Sequence, residues 1–435
     1  MLILIIILVT SVFLGTELFA IPTPGFQLSI YRITLFTTWI FTMFQFYKRN
    51  PQLKLRPNTT SFAFILAFLF WWLWGLMSVF WSFSFGNWLR AMFLLSLGVS
   101  AILLLYFWIK DLKEWHQIIK AVWLGMCLLL FWGYYELITN HYIFANLSKL
   151  DKHGTFASHP FSRIPVTVFE NQNDFATMLL AFLVVSMILY HLSSSIVKKL
   201  CLIFMMGLAS YLVFRSESRM ILLSYFLIFV VRFILNFRID FKEKHWYRIG
   251  LFSLIVFLLV LALYPPALKK IDTLFYFGYG ESLDGDTVRV NLWRNGMGYL
   301  GQTFGLGVGA GNIEFWMTHF KDLPTKIITN MHNWWLEILV GYGLPVFLVY
   351  TVMYGTMIYQ LWLGSRRMKG PWLQVSNDLV AFLIVYIFAS ITSANNMLIE
   401  WHWVFFGIIV SYFKLMEARD DLATKEYGYE FINNI

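Results

Sequence analysis

The stretch NMHNWWLEILVGYGLP, Asn330 to Pro345, sets His332, Asn333 and Glu337 where a polar segment runs into an apolar one. A neutral imidazole, with an ordinary pKa of about 6.5, can accept a proton from a hydroxyl as a general base must. The three side chains cannot share one helix face. His332 and Asn333 can project from a first turn while Glu337 points toward a bundle about one turn deeper. The alternative is an interfacial histidine anchoring a helix start, with Glu337 hydrogen-bonded inside.

Three arginines extend this chemistry toward anions. Arg215 closes one apolar run and Arg219, in FRSESRM, opens the next, while Arg289 lies in the long polar segment before His332. An arginine near a hydrocarbon boundary is costly unless it snorkels or meets an anion, and its planar fork suits diphosphate oxygens. Snorkelling suffices for Arg215 and is the weaker explanation for Arg219 and Arg289. A third group, FENQNDFATMLL, crowds Glu170, Asn171, Asn173 and Asp174 at the start of an apolar run. Asp174 or Asn173 is expected to cap a helix there. The group together reads either as a polar vestibule for sugar hydroxyls or as a capping cluster.

Other residues carry less. His141, His153 and His159 lack zinc spacing and read as surface residues, and Glu400 and His402 as interfacial neighbours of tryptophans. Cys127 and Cys201 sit inside apolar runs, so neither a disulfide scaffold nor a metal site is expected from them. No Walker A motif, dinucleotide fingerprint, H-E-x-x-H or G-x-S-x-G occurs. The segment GLGVGAGN matches none of these and reads as a flexible turn. No metal or cofactor is implied, and any donor must arrive already activated.

The elements that position these residues follow from composition. The chain of 435 residues is 59% hydrophobic, 20% aromatic and 13% charged, too apolar to cover a water-soluble surface. It is expected to be an all-α polytopic integral membrane protein with about a dozen spans of roughly 20 residues each. Residues 1–138 hold the first five spans, beginning with an uncleaved helix over Leu2–Phe19. A connection over 139–173, four spans in 174–263 ending with Ile249–Leu263, a long loop over 264–333, three spans in 334–415 and a tail over 416–435 follow. Basic segments such as KRNPQLKLRP, FRIDFKEKHWYR and SRRMKGPW alternate with connections poor in Lys and Arg. The net charge of +9 therefore sets orientation, with both termini cytoplasmic, and does not point to nucleic acid. In the long loop, TVRVNLWRNGMGYL is expected to form a helix capped by Asp286, with Arg289 and Trp293 on one face. IEFWMTHF forms a second, capped by Asn312. A loop with its own helices usually covers or forms a site.

From Glu170 to the end of the span at Trp334–Leu361, the ordered set resembles the O-antigen ligase and Wzy-type polysaccharide polymerase superfamily. The set comprises the SR opening a span, the R…LW helix, the GLGVGAGN turn and HNWWLEILVGYGLP closing a long loop. Its teichuronic acid polymerase-like members are the narrower match. The resemblance implies a GT-C-like helical bundle and a metal-independent, inverting glycosyltransferase in the bacterial cell membrane. It would transfer a glycan from an undecaprenyl-diphosphate-linked donor to a glycan, lipid or wall acceptor at the extracytoplasmic face. His332 matches the base for the acceptor hydroxyl, Arg219 and Arg289 match the arginines on the diphosphate, and Glu337 orients the site. A flippase and a chain-length regulator are the implied protein partners. The competing class is a transporter or flippase of lipid-linked oligosaccharide, which would show internal repeats, broken helices and charged residues near mid-membrane. The sequence displays no repeat.

Overall fold

The computed structural model describes residues 1–15, 20–23, 26–48, 59–143, 164–169, 171–236, 285–391 and 399–432. In chain order the helices are α1 (Leu2–Ser11), α2 (Ile30–Tyr47), α3 (Thr60–Met77), α4 (Phe85–Trp108) and α5 (Leu112–Thr139). Then come α6 (Gln172–Leu192), α7 (Ile196–Arg215), α8 (Arg219–Asn236), α9 (Gly285–Gln302) and α10 (Ile313–His319). The last three are α11 (Trp334–Arg367), α12 (Pro371–Ala389) and α13 (Glu400–Ile432). Side-chain oxygens start several of them: Ser29, Thr59, Ser84 and Asp111 each accept from a backbone N–H three residues on, filling one of the open donors of a first turn.

Eight of the helices are long and apolar enough to cross a membrane among the described residues, so the chain is a multi-pass membrane protein. The expected span Ile249–Leu263 lies outside the described residues. The N-terminal run departs from expectation. Its helix is ten residues long, passes through a 3-10 turn at Val12–Leu14, and ends at Gly15 with φ 73°. At 1.5 Å per residue such a helix covers about 15 Å, about half a hydrocarbon core. After it, Ile21–Thr23 (β1) and Phe26–Leu28 (β2) pair as a small antiparallel hairpin.

Packing sorts the spans into inner and outer members. α6 is buried almost all round and sits against α5, α7 and α12. α7 and α8 lie at the periphery and expose Phe204, Phe214, Phe226, Phe229 and Phe233. A row of exposed phenylalanines on helices is stable against lipid and not against water. α13 runs along α4, and α11 packs between α3 and α12. At the head of this inner group the Trp71 ring touches Trp334, Tyr342, Tyr350 and Trp403 at centroid distances of 5.4–5.8 Å. Each such aromatic pair adds about 0.5–1.5 kcal/mol beyond the area it buries.

One buried ionic group was not anticipated. Arg232 of α8 meets Asp378 of α12 at 2.8 Å, with His191 of α6 3.6 Å from the same carboxylate. Arg232 also donates to Gln374 Oε1 at 2.6 Å. Charges taken out of water this far hold only when paired, and this group pins three helices at the end opposite α9 and α10.

Candidate functional site

The long loop builds a fixed platform. α9 and α10 bury Val288, Leu292, Tyr299, Trp316 and Met317 against each other and against Val340 of α11. Asn295 Nδ2 donates to the Leu323 carbonyl and its Oδ1 accepts from Leu323 N, both at 2.9 Å, while Asn291 Nδ2 donates to the Pro324 carbonyl. Trp293 Nε1 donates to the Met331 carbonyl at 3.0 Å. These bonds tie the strand of chain that leads to His332 along the flank of α9. Burial, with Asp322 nearby, pushes the Tyr299 phenol up to about 12. It stays neutral and donates to the Trp316 carbonyl at 3.3 Å.

GLGVGAGN is the largest correction to the sequence reading. It is not a flexible turn but a clamp into a break in α11. That helix is interrupted at Gly343 (φ 82°, ψ 177°), two residues before Pro345. A proline has no N–H, so the Gly341 carbonyl four residues earlier loses its helical donor. Gly309 N supplies one at 3.0 Å, and Val308 N donates to the Val340 carbonyl at 2.8 Å. Leu344 N, freed by the break, donates to the Gly305 carbonyl at 2.8 Å. Non-helical backbone survives in a membrane protein when it is satisfied inside protein in this way. Glycine is required because the two backbones touch: a Cβ on Gly307 would lie 2.5 Å from Gly343 N. Asn312 was expected to cap α10 and does not. Its amide instead bridges to the turn before α4, where Ser84 N donates to Asn312 Oδ1 at 2.7 Å. Competition from a buried backbone partner outweighs a local cap.

On this platform His332 is half-buried, with φ 47°, in a left-handed turn. The turn is held by buried Met331 before it and by Asn333 after it. His332 and Asn333 were expected in the first turn of the helix; both precede it. Asn333 is the N-cap, accepting from Trp335 N at 3.1 Å and Leu336 N at 3.3 Å. Trp334 N donates to the Ser390 carbonyl, which fastens this helix start to the end of α12. Glu337, in the first turn, lines a cavity of about 110 Å³ between α4 and α11, roofed by the loop. Asn330, Met331 and Glu314 come from the loop side, and Asn87 and Arg90 from α4.

The other predicted residues are distributed around this centre. Arg219 opens α8 and is exposed, Arg215 ends α7 and is half-exposed, and Arg289 is half-buried on α9. Neither these three nor His332 lines the cavity. Glu170 lies outside the described residues, as do His153 and His159. The cap of α6 is Asn171 and not Asn173 or Asp174: its Oδ1 accepts from both of their N–H groups, and its Nδ2 donates to Asp174 Oδ2 at 2.6 Å. Asn173 stays half-buried in the first turn. Asn171→Ala is expected to lower stability by about 1 kcal/mol, read as a lower midpoint of thermal unfolding in detergent. Glu136 anchors the chain before this cap, accepting from Val166 N and Thr167 N at 2.8–3.1 Å. The start of α11 lies against the end of α12, where Trp334 N donates to the Ser390 carbonyl. Glu400 and His402 are buried rather than interfacial: Glu400 pairs with Arg32 at 2.7 Å, and His402 Nδ1 lies 3.1 Å from the Tyr386 hydroxyl.

Arg90, Glu314 and Asn330 escaped the sequence reading. For Arg90 a signal existed: it follows a short connection poor in other cations, the argument already applied to Arg219. Glu314 and Asn330 carried no such mark.

Residues 204–351 match a family model described as "Wzy_C: O-Antigen ligase". Over 430 residues the chain is 27% identical to "Teichuronic acid biosynthesis protein TuaE" of Bacillus subtilis (strain 168), covering 97% of this chain and 86% of that one. The matched region holds His332, Glu337 and the three arginines, whereas Arg90 and the start of α6 precede it. The chain is thus a multi-pass membrane protein that resembles the O-antigen ligase and Wzy-type polymerase superfamily, with its His332 platform inside the region of likeness.

Proposed function

We propose that this protein is a metal-independent, inverting glycosyltransferase of cell-surface polysaccharide. It moves a glycan from undecaprenyl diphosphate to an acceptor hydroxyl at the extracytoplasmic face of the bacterial plasma membrane. In the step, His332 takes the hydroxyl proton and the acceptor oxygen bonds to the anomeric carbon. The bond from that carbon to the diphosphate oxygen breaks, and its electron pair leaves with the diphosphate, held by Arg219 and Arg289. Glu337 orients the acceptor side, and Arg215, Asn171, Asn173 and Glu170 border the donor. Asn333 fixes the turn that presents His332. The observation that carries the reading is the left-handed turn at His332, whose preceding residues Asn330 and Met331 line a polar cavity with Glu337. Lys110, Lys198, Lys199, Arg366 and Arg367 stand at the opposite end of the bundle, which favours a cytoplasmic orientation for that end. The described relative acts in teichuronic acid biosynthesis, and the same class of wall polymer is the product proposed here.

A transporter of lipid-linked oligosaccharide is the second reading, and the break in α11 at Gly343, a discontinuous membrane helix, is the observation that favours it. Reconstitution separates the two. The purified protein in vesicles, given lipid-linked glycan extracted from a deletion strain, is expected to release undecaprenyl diphosphate in step with each new glycosidic bond. Movement of intact lipid-linked glycan across the bilayer without release would refute the transferase.

A further inference from the structure

The cavity between α4 and α11 is lined by Asn330 and Met331, the residues that lead into His332, and by neither His332 itself nor any of the three arginines of the donor side. Its wall on α4 is one helical face, with Asn87 at the rim, Arg90 and Ala91 a turn further and Leu94 deeper, as i, i+3, i+4 and i+7 positions must fall. The opposing wall carries Glu337 and the Tyr342 ring, and Glu314 stands at the mouth. Among the described residues no ion pair engages Arg90 or Glu314. A guanidinium, two amides and two carboxylates around one small space, with an apolar end, make donors and acceptors for neighbouring hydroxyls and a surface for C–H groups. At about 110 Å³ the space is smaller than the roughly 300 Å³ of pockets for drug-sized ligands and suits a single ring. Two carboxylates against one guanidinium disfavour an anion.

We propose that this cavity is the accepting-sugar subsite: it takes a neutral pyranose, gripped through its hydroxyls by Asn87, Arg90, Glu314 and Glu337, with one hydroxyl presented to His332. The assignment rests on the glycosyl-transfer reading. Arg90 acts by hydrogen bonds to hydroxyl oxygens, unlike Arg219 and Arg289, which face a diphosphate.

Saturation-transfer NMR on the full chain in nanodiscs tests it. The probes are methyl glycosides of glucose, galactose and N-acetylglucosamine, together with methyl glucuronide as the anionic twin. At least one neutral glycoside is expected to bind wild type and His332→Ala alike, and more strongly than the glucuronide. Arg90→Gln with Glu314→Gln replaces two exposed side chains, so folding is not at stake. Loss of two hydrogen bonds is expected to weaken binding about tenfold and to slow glycan elongation at low acceptor concentration. The subsite is overturned if no neutral glycoside binds, if the glucuronide binds best, or if the double variant keeps the wild-type signal. It is also overturned, with the transfer reading intact, if the double variant loses the signal yet elongates glycan at an unchanged rate. Binding without any release of diphosphate in vesicles would overturn the transfer reading, and the accepting role with it.

Discussion

His332→Asn is expected to cut glycan transfer by about 10²–10⁴-fold, the usual contribution of a positioned general base, or roughly 3–5 kcal/mol in the barrier. Asparagine is the informative replacement because of the backbone. His332 has φ 47°, a conformation that costs an ordinary side chain on the order of 1 kcal/mol and that asparagine adopts readily. His332→Ala removes the imidazole and leaves the cost of the left-handed turn in place. His332→Asn removes the imidazole and keeps the turn. Both variants should lose long glycan in a deletion strain while short lipid-linked units accumulate, at matched membrane levels. Of the two, the asparagine variant should show the higher unfolding midpoint. If His332→Asn makes glycan of normal length, the residue serves the turn and not the proton transfer.

Gly343→Ala is expected to destabilise the protein by about 4 kcal/mol and to lower transfer along with it. Its φ of 82° and ψ of 177° fall in a region open essentially to glycine, at a cost of about 1–3 kcal/mol for another residue. Its new Cβ would also run into the backbone of Leu306 and lie 2.5 Å from the Gly305 carbonyl oxygen. Backbone cannot rotate out of the way as a side chain can. The clamp must therefore slide, giving up bonds from Val308 N, Gly309 N and Leu344 N worth about 1 kcal/mol each. Gly355→Ala is the control on the same helix: nothing lies within 4 Å of its Cβ. There alanine should leave stability unchanged or raise it by about 0.5–1 kcal/mol. Equal melting midpoints for the two variants would show that the clamp does not hold the site.

The first prediction was readable in the chain and the second was not, for a physical reason. Hydropathy is a property of consecutive residues, so the apolar runs disclosed a membrane bundle. The switch from polar to apolar at Asn330–Pro345 disclosed a helix start with a histidine beside it. The loop helices were legible in the same way, because periodicity and capping act within a few residues. Local logic also produced the errors. Asn312 sits where a cap belongs, but its partner is Ser84, 228 residues away. GLGVGAGN has the composition of a flexible turn, and only the missing donor of Pro345 in another element explains its glycines. The Arg232–Asp378 pair joins α8 to α12, so neither residue betrayed the other in sequence. Arg90 entered the site because α4 packs across from α11. The sequence by itself determined the class of molecule and most of the long apolar helices, and it singled out the histidine proposed here as the base, since these depend on neighbours along the chain. Which helices meet, and so which cation and carboxylates line the cavity next to the Asn330–Met331 approach to His332, was decided by tertiary structure, where burial and hydrogen-bond satisfaction select among partners hundreds of residues apart.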